Sequence, residues 1–278
     1  MRSVKSLVAA GAASLLSSVA FAADMAIAPP PQMYAPPPVV EDFGGWYLRG
    51  DIGFSNQRVE RLNNVLDTVG SPTSVQNNSF GTAGIFGLGV GYKVNNWFRA
   101  DITGEYRGNS QFFGTDHLTY AGPAYGVDTY NATKSEWVVL GNAYVDLGTW
   151  WCVTPFIGAG VGGARVSIAN FTDAGITNIG GVTSPSLAFG DSASKWNLAW
   201  AVHAGLAYRV TPNFTVELAY RYLDMGDGLT GDLRTFDGTN NINNPTTFKN
   251  ITSHDLKLGV RWDLSSPPAY APPLMRKG

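Results

Sequence analysis

Phe98-Arg99-Ala100-Asp101-Ile102-Thr103-Gly104-Glu105-Tyr106-Arg107 is the stretch that decides the fold. Its even positions are apolar or small and its odd positions are charged or polar. A period of two sends successive side chains to opposite faces of a β-strand, so this strand has one apolar and one charged face. Which face points inward depends on the rest of the chain.

Seven further segments carry the same period. Trp46, Leu48, Gly50, Ile52 and Phe54 alternate with Tyr47, Arg49, Asp51, Gly53 and Ser55. A second strand places Phe80, Thr82, Phe86, Leu88, Val90 and Tyr92 opposite Gly81, Ala83, Gly87, Gly89 and Gly91. Beyond the Phe98 strand come Trp137 to Leu147, then a glycine-rich segment from Thr154 to about Ala164 whose facing is ambiguous. Trp196 to Tyr208, Phe214 to Tyr222, and Leu256 to Leu264 complete the set. The connections alternate in length. Those at 93–96, 148–153 and 210–213 are short, whereas 57–79, 108–134, 165–194 and 224–250 each run to roughly 20–30 residues, long for a compact soluble domain. Eight strands of roughly ten residues with short and long connections in turn predict an eight-stranded antiparallel transmembrane β-barrel over residues 45–264, with short periplasmic turns and four long extracellular loops. In hydrocarbon an unpaired backbone amide costs several kcal/mol, so the sheet must close and turn its apolar face outward.

The aromatic residues support this orientation. Trp46, Trp97, Trp150, Trp151 and Trp262 fall at the periplasmic rim, and Trp137, Trp196 and Tyr222 toward the outer rim, as an aromatic girdle would require. The inward face then carries the charges. Alternation assigns to it Arg49, Arg99, Arg107, Arg209, Arg221, Lys257 and Arg261, with Asp51, Asp101, Glu105, Asp146, Glu217, Asp255 and Asp263. These are seven cations and seven carboxylates. An eight-stranded interior is just wide enough for side chains to fill. Unpaired charges there would be prohibitive. The expectation is a barrel plugged by paired charges.

Arg2 and Lys5, an apolar stretch from Leu7 to Val19 and Ala20-Phe21-Ala22 read as a cleaved signal peptide over 1–22. A proline-rich periplasmic spacer follows over 23–44, echoed by a proline-rich periplasmic tail over 265–278. Charged residues make up 14% of the chain and the net charge is −2, so no basic footprint points to nucleic acid. The lone Cys152 has no internal partner for a disulfide.

The ordered motifs Gly141-Asn142-Ala143-Tyr144-Val145-Asp146-Leu147, Thr154-Pro155-Phe156-Ile157-Gly158-Ala159-Gly160-Val161-Gly162 and Ala204-Gly205-Leu206-Ala207-Tyr208-Arg209-Val210-Thr211-Pro212-Asn213 carry a family resemblance. So do Glu217-Leu218-Ala219-Tyr220-Arg221-Tyr222-Leu223-Asp224 and His254-Asp255-Leu256-Lys257-Leu258-Gly259-Val260-Arg261-Trp262. Over roughly 45–264 the chain resembles the OmpA-like, opacity-type surface-antigen (porin-family) outer-membrane proteins of Gram-negative bacteria. The resemblance implies the outer membrane, insertion by the barrel-assembly machinery, contact with outer-membrane lipids and lipopolysaccharide, and host-surface or phage contacts through the loops. It implies a structural or surface-antigen role in envelope integrity, surface contact or adhesion. Such barrels usually end on an aromatic residue, whereas here the last strand stops at Leu264 and a tail follows, leaving Val260 to Leu264 as an internal assembly signal. No peptidoglycan-binding domain is expected after the barrel.

No cofactor and no catalytic site are expected. Gly158 to Gly163 matches G-x-G-x-x-G, but a dinucleotide site needs a helix to start there. His117, His203 and His254 are too widely spaced for a metal signature. Asp224, Asp227 and Asp232 do not have EF-hand spacing. A small diffusion porin remains the main alternative. Haem binding through His117 or His203, and a lipid-modifying enzyme using Ser253 and His254, are the lesser ones.

Overall fold

The computed structural model describes residues 44–65, 73–120 and 122–264. The signal peptide, the tail and all but the last residue of the spacer lie outside the described residues. Among the described residues fourteen strands follow in order: β1 (Gly45–Arg58), β2 (Arg61–Asn64), β3 (Thr73–Phe80), β4 (Ala83–Lys93), β5 (Phe98–Thr119), β6 (Tyr125–Asp146) and β7 (Val153–Ile179), then β8 (Val182–Gly190), β9 (Ala193–Thr211), β10 (Phe214–Asp224), β11 (Gly228–Leu229), β12 (Leu233–Thr235), β13 (Thr246–Lys249) and β14 (Thr252–Asp263).

Eight of these strands form a ring. Antiparallel pairing runs β1–β4–β5–β6–β7–β9–β10–β14 and returns from β14 to β1. Leu48, for example, faces Val90 of β4 on one side and Trp262 of β14 on the other. Closure gives every strand of the ring a partner along both edges, which hydrocarbon demands. The burial pattern inverts that of a soluble barrel: Leu48, Ile52, Phe54 and Leu88 are exposed, while Tyr47, Arg49 and Asp51 are buried. Among the described residues no helix is long and apolar enough to cross a membrane.

The long connections are mostly strand. β5 and β6 have 22 residues each and β7 has 27. At about 3.3 Å per residue and a tilt near 40°, 22 residues rise roughly 55 Å, about twice the ~25 Å apolar band of such barrels. The surplus stands outside the membrane as hairpins. Sequence alternation of the kind that marks a spanning strand fades there, because a paired strand in water needs no apolar outer face. The β7–β8 hairpin closes on Gly180 and Gly181, with φ of 61° and 84°, as a two-residue primed turn requires.

Irregularities in β5 and between β3 and β4 reset the facing there. Register shifts between Arg107 and Ser110, so inward positions on β5 pass from odd (Arg99 to Arg107) to even (Ser110, Phe112). β3 pairs only with the upper part of β5, below which β4 takes over. Phe80 therefore does not continue the outward row of Phe86 and Leu88. It belongs to β3 and packs inward, its ring 5.0 Å from that of Phe112. Gly81 and Thr82 form the break between β3 and β4, opposite the β5 bulge, which undoes the expected continuous strand from Phe80 to Tyr92.

Inside the outer mouth β2, β13 and β11 form a small separate sheet. It buries Leu62 and Phe248 in a cluster with Val138, Leu140, Val166, Ile168, Phe171, Leu223, Met225 and Ile251. The first and fourth connections thus fold back into the lumen. Their apolar residues would be left in water if these segments extended away from the barrel.

Candidate functional site: the filled lumen and the outer hairpins

The membrane-level lumen is a continuous network of ion pairs. Near the periplasmic end Arg49 donates to Asp51 at 2.9 Å, Asp101 at 2.8 Å and the Tyr144 hydroxyl at 3.0 Å. Tyr47 donates to Asp101 at 3.1 Å, and Asn142 to its other oxygen at 2.8 Å. Arg99 lies 3.3 Å from Glu217 and 3.2 Å from Asp146, its guanidinium 4.3 Å from the centre of the Tyr144 ring. Arg261 reaches Glu217 at 2.6 Å. Higher up, Glu105 takes both Nη atoms of Arg221 at 2.8 and 2.6 Å and Lys257 at 2.5 Å. Asp255 takes Arg221 at 2.7 Å and also pairs with Arg107. Planar, two-toothed arginine contacts of this kind fix geometry as well as charge.

Glycine makes room for these groups. A Cβ at Gly91 would fall on the Tyr47 ring, and one at Gly160 on the Asn142 amide. Gly158, Gly160 and Gly162 of β7 face inward, which settles the facing of the glycine-rich strand. The G-x-G-x-x-G match thus lies within a strand.

Of the residues assigned inward, Arg49, Asp51, Arg99, Asp101, Glu105, Glu217, Arg221, Lys257 and Arg261 are all buried and paired, as are Arg107 and Asp255. Asp263 meets Lys93 at 2.5 Å and Asp146 is half-buried beside Arg99. Arg209 is the exception. It keeps the inward parity of β9, opposite buried Thr215, but stands at the strand end, where it is exposed at the periplasmic mouth. Sequence reasoning also missed Lys134 and Glu136, buried and paired with each other and with Gln57. Carrying the Trp137 alternation back three residues would have found them.

The charged network ends against the apolar cluster. The Lys134 ammonium lies 4.5 Å above the Phe80 ring, and Arg107 Nη1 is 3.2 Å from the Met225 sulfur. The cluster's lid is tied down at the mouth by Asp227, which accepts from Lys249 at 2.8 Å and from the Asn250 N–H at 3.0 Å. Partial burial pushes the Asp227 carboxyl up, but the Lys249 hydrogen bond and the Asn250 N–H outweigh this and hold it below its ordinary value.

The girdle residues Trp46, Trp97, Trp137, Trp150, Trp151, Trp196 and Trp262 are exposed on the outer surface or in the turns, and Tyr222 is half-buried on it. The histidines do not converge. His117 is exposed on the outer face of the β5 extension, and His203 is inside, 3.2 Å from Asn142. His254 is outside, 2.6 Å from the Tyr220 hydroxyl. Ser253 is fully buried and takes a bond from Arg107, so Ser253 and His254 lie on opposite faces of β14 and cannot act together. Asp224, Asp227 and Asp232 each serve a different local contact, to Gly226, Lys249 and Asn244. Among the described residues no group of three histidine, cysteine or acidic side chains could hold a metal ion.

The profile of the outer membrane protein beta-barrel domain matches residues 11–263. An uncharacterized Brucella abortus protein is 31% identical over 231 residues, covering 76% of this chain and 78% of that one. Outer membrane protein PagN of Salmonella typhimurium is 28% identical over 191 residues, covering 66% and 75%. Among solved structures, OprG, an outer membrane protein of Pseudomonas aeruginosa, aligns over 80% of this chain and 97% of its own with a TM-score of 0.44 and 11% identity.

Proposed function

Because this chain belongs to the outer-membrane β-barrel domain family and resides in the outer membrane, we propose that it is a sealed barrel that presents its hairpins for contact at the cell surface. The role is structural and surface-antigenic, one of contact rather than catalysis. The observation that carries this reading is where the chain is spent. The lumen is filled by paired charges and an apolar cluster, while β5, β6 and β7 extend far past any bilayer. Such a molecule is poorly suited to diffusion and well suited to display.

The outer face of the hairpins suits contact. Phe113 of β5, Asn131 of β6, Thr172 of β7 and Phe189 of β8 lie in one row by register, with Thr115, Thr129, Ala174 and Leu187 in the next. Phe113 and Phe189 are exposed, and both rows are free of charge. Partners of this kind would be host surfaces or phage, alongside lipopolysaccharide around the barrel and the barrel-assembly machinery reading Val260 to Leu264 during insertion.

The test is a hairpin deletion in bacteria expressing the full chain. Residues 173–188 are replaced by Asn-Gly between Thr172 and Phe189, which are already paired. The barrel should still fold, as seen from heat-dependent gel mobility, while adherence to host cells falls to that of bacteria lacking the protein. Undiminished adherence with the barrel intact would remove the hairpins from the function.

A further inference from the structure

We infer that Arg165 and the serines beside it form a binding site for the phosphorylated headgroup of an outer-leaflet lipid, with the acyl chains lying below on the barrel wall.

The argument begins with register. Trp137 of β6 pairs with Arg165 of β7, and Arg165 with Trp196 of β9. Directly opposed residues stand about 5 Å apart at Cβ. Both tryptophans are exposed on the outer surface, and Arg165 is exposed on the same face. The row Trp137–Arg165–Trp196 therefore places a cation within the outer aromatic girdle, at the level where hydrocarbon gives way to headgroups.

Arg165 stands apart from the lumen arginines because no ion pair within the described residues engages it. Its one side-chain bond runs from Nη2 to the Ser194 hydroxyl at 3.3 Å. The next row outward along the same three strands is Ser135–Ser167–Ser194, and Ser167 and Ser194 lie 2.9 Å apart through their hydroxyls. Glu136, the nearest acid on β6, points into the lumen. A guanidinium with free donors next to a line of hydroxyls matches the oxygens of a phosphate.

The row below supplies the other half of a lipid. Val139, Gly163 and Leu198 pair across β6, β7 and β9. Gly163 lacks a side chain between the exposed Val139 and Leu198, and the Trp196 ring lies over it, 3.5 Å from where a Cβ would stand, so the surface directly beneath Arg165 is continuous and apolar. The sequence of apolar surface, cation between aromatics, then hydroxyls follows the order of a phosphorylated lipid from tail to headgroup.

The site rests on the outer-leaflet lipid contact proposed above and makes it specific. The full-length protein is purified in detergent and titrated with bis-phosphorylated lipid A or with the same lipid stripped of phosphate, bound lipid being counted by native mass spectrometry. The phosphorylated form should bind the wild type more tightly, and Arg165→Ala should weaken it about tenfold, the loss of a charge-assisted hydrogen bond. Arg165→Lys should restore part of the affinity, since it returns the charge without the planar fork. Arg209→Ala, which removes an exposed cation at the opposite rim, should bind as the wild type does. Equal binding by wild type, Arg165→Ala and Arg165→Lys, or no preference for phosphate, would overturn the site. Failure to retain any phosphorylated lipid would overturn both the site and the wider lipid reading.

Discussion

The lumen contains two fillings that solve the same problem in different ways. The charged network around Arg49, Glu105, Arg221 and Glu217 comes from the barrel strands themselves, each residue fixed by its place in the ring. The apolar cluster around Phe248 and Leu62 draws part of its mass from segments folded in from outside the ring. Charges need partners at set distances and orientations, so the rigid wall carries them. Apolar packing needs volume more than direction, so appended segments can provide it. The two fillings should therefore fail differently.

The largest effect is expected in the charged layer. Glu105→Ala leaves Arg221 and Lys257 short of a counter-charge at full burial, and breaking a buried pair from one side costs about 3–5 kcal/mol. Urea unfolding in lipid vesicles should read this loss, and Glu105→Gln should lose less because it still accepts from Arg221. Phe248→Ala should cost roughly 3 kcal/mol, toward the low end for a buried phenylalanine, because the inner sheet can settle into the space. If Phe248→Ala cost more than Glu105→Ala, the apolar filling and not the charged one would dominate.

Gly91→Ala is a smaller test of the charged side. The new Cβ would press on Tyr47, whose hydroxyl bonds Asp101, and overpacking of this kind costs about 1–3 kcal/mol. Smallest is the latch at the mouth. Asp227→Asn weakens the tie from Lys249 and should cost under about 1 kcal/mol, since the pair is only partly buried and is screened by solvent and salt. Its pH dependence has a definite sign. The folded-state carboxyl lies below its unfolded value, so the contribution is present above about pH 4 and fades as pH falls through the lower folded value. Proteolysis of the outer mouth at pH 7 and pH 3 should show this fading in the wild type and not in Asp227→Asn.

The eight barrel strands were legible because membrane burial enforces a strict period, and Phe98 to Arg107 alternates without a break. The charged network followed from the same period, down to the residues of the Glu105–Arg221–Lys257 triad. Arg209 keeps its inward parity yet is exposed at the strand end, because alternation records the face of a strand and not the depth along it. The bulge after Arg107 likewise hid Phe112 and the inward turn of Phe80. The inner sheet was illegible for a different reason. Arg61 to Asn64 and Thr246 to Lys249 are four residues each, too short for any period, and their pairing joins residues about 185 apart in the chain. The Gly180-Gly181 turn was readable in principle, since paired glycines between strand-like runs mark a hairpin.

The measurement that bears most directly on the sealed lumen is single-channel recording of the refolded protein in a planar bilayer. With Glu105, Arg221 and Asp255 locked together and the inner sheet above them, the protein should insert without opening conductance steps. Stable, reproducible steps from barrels shown to be folded would contradict the account and restore a diffusion pore.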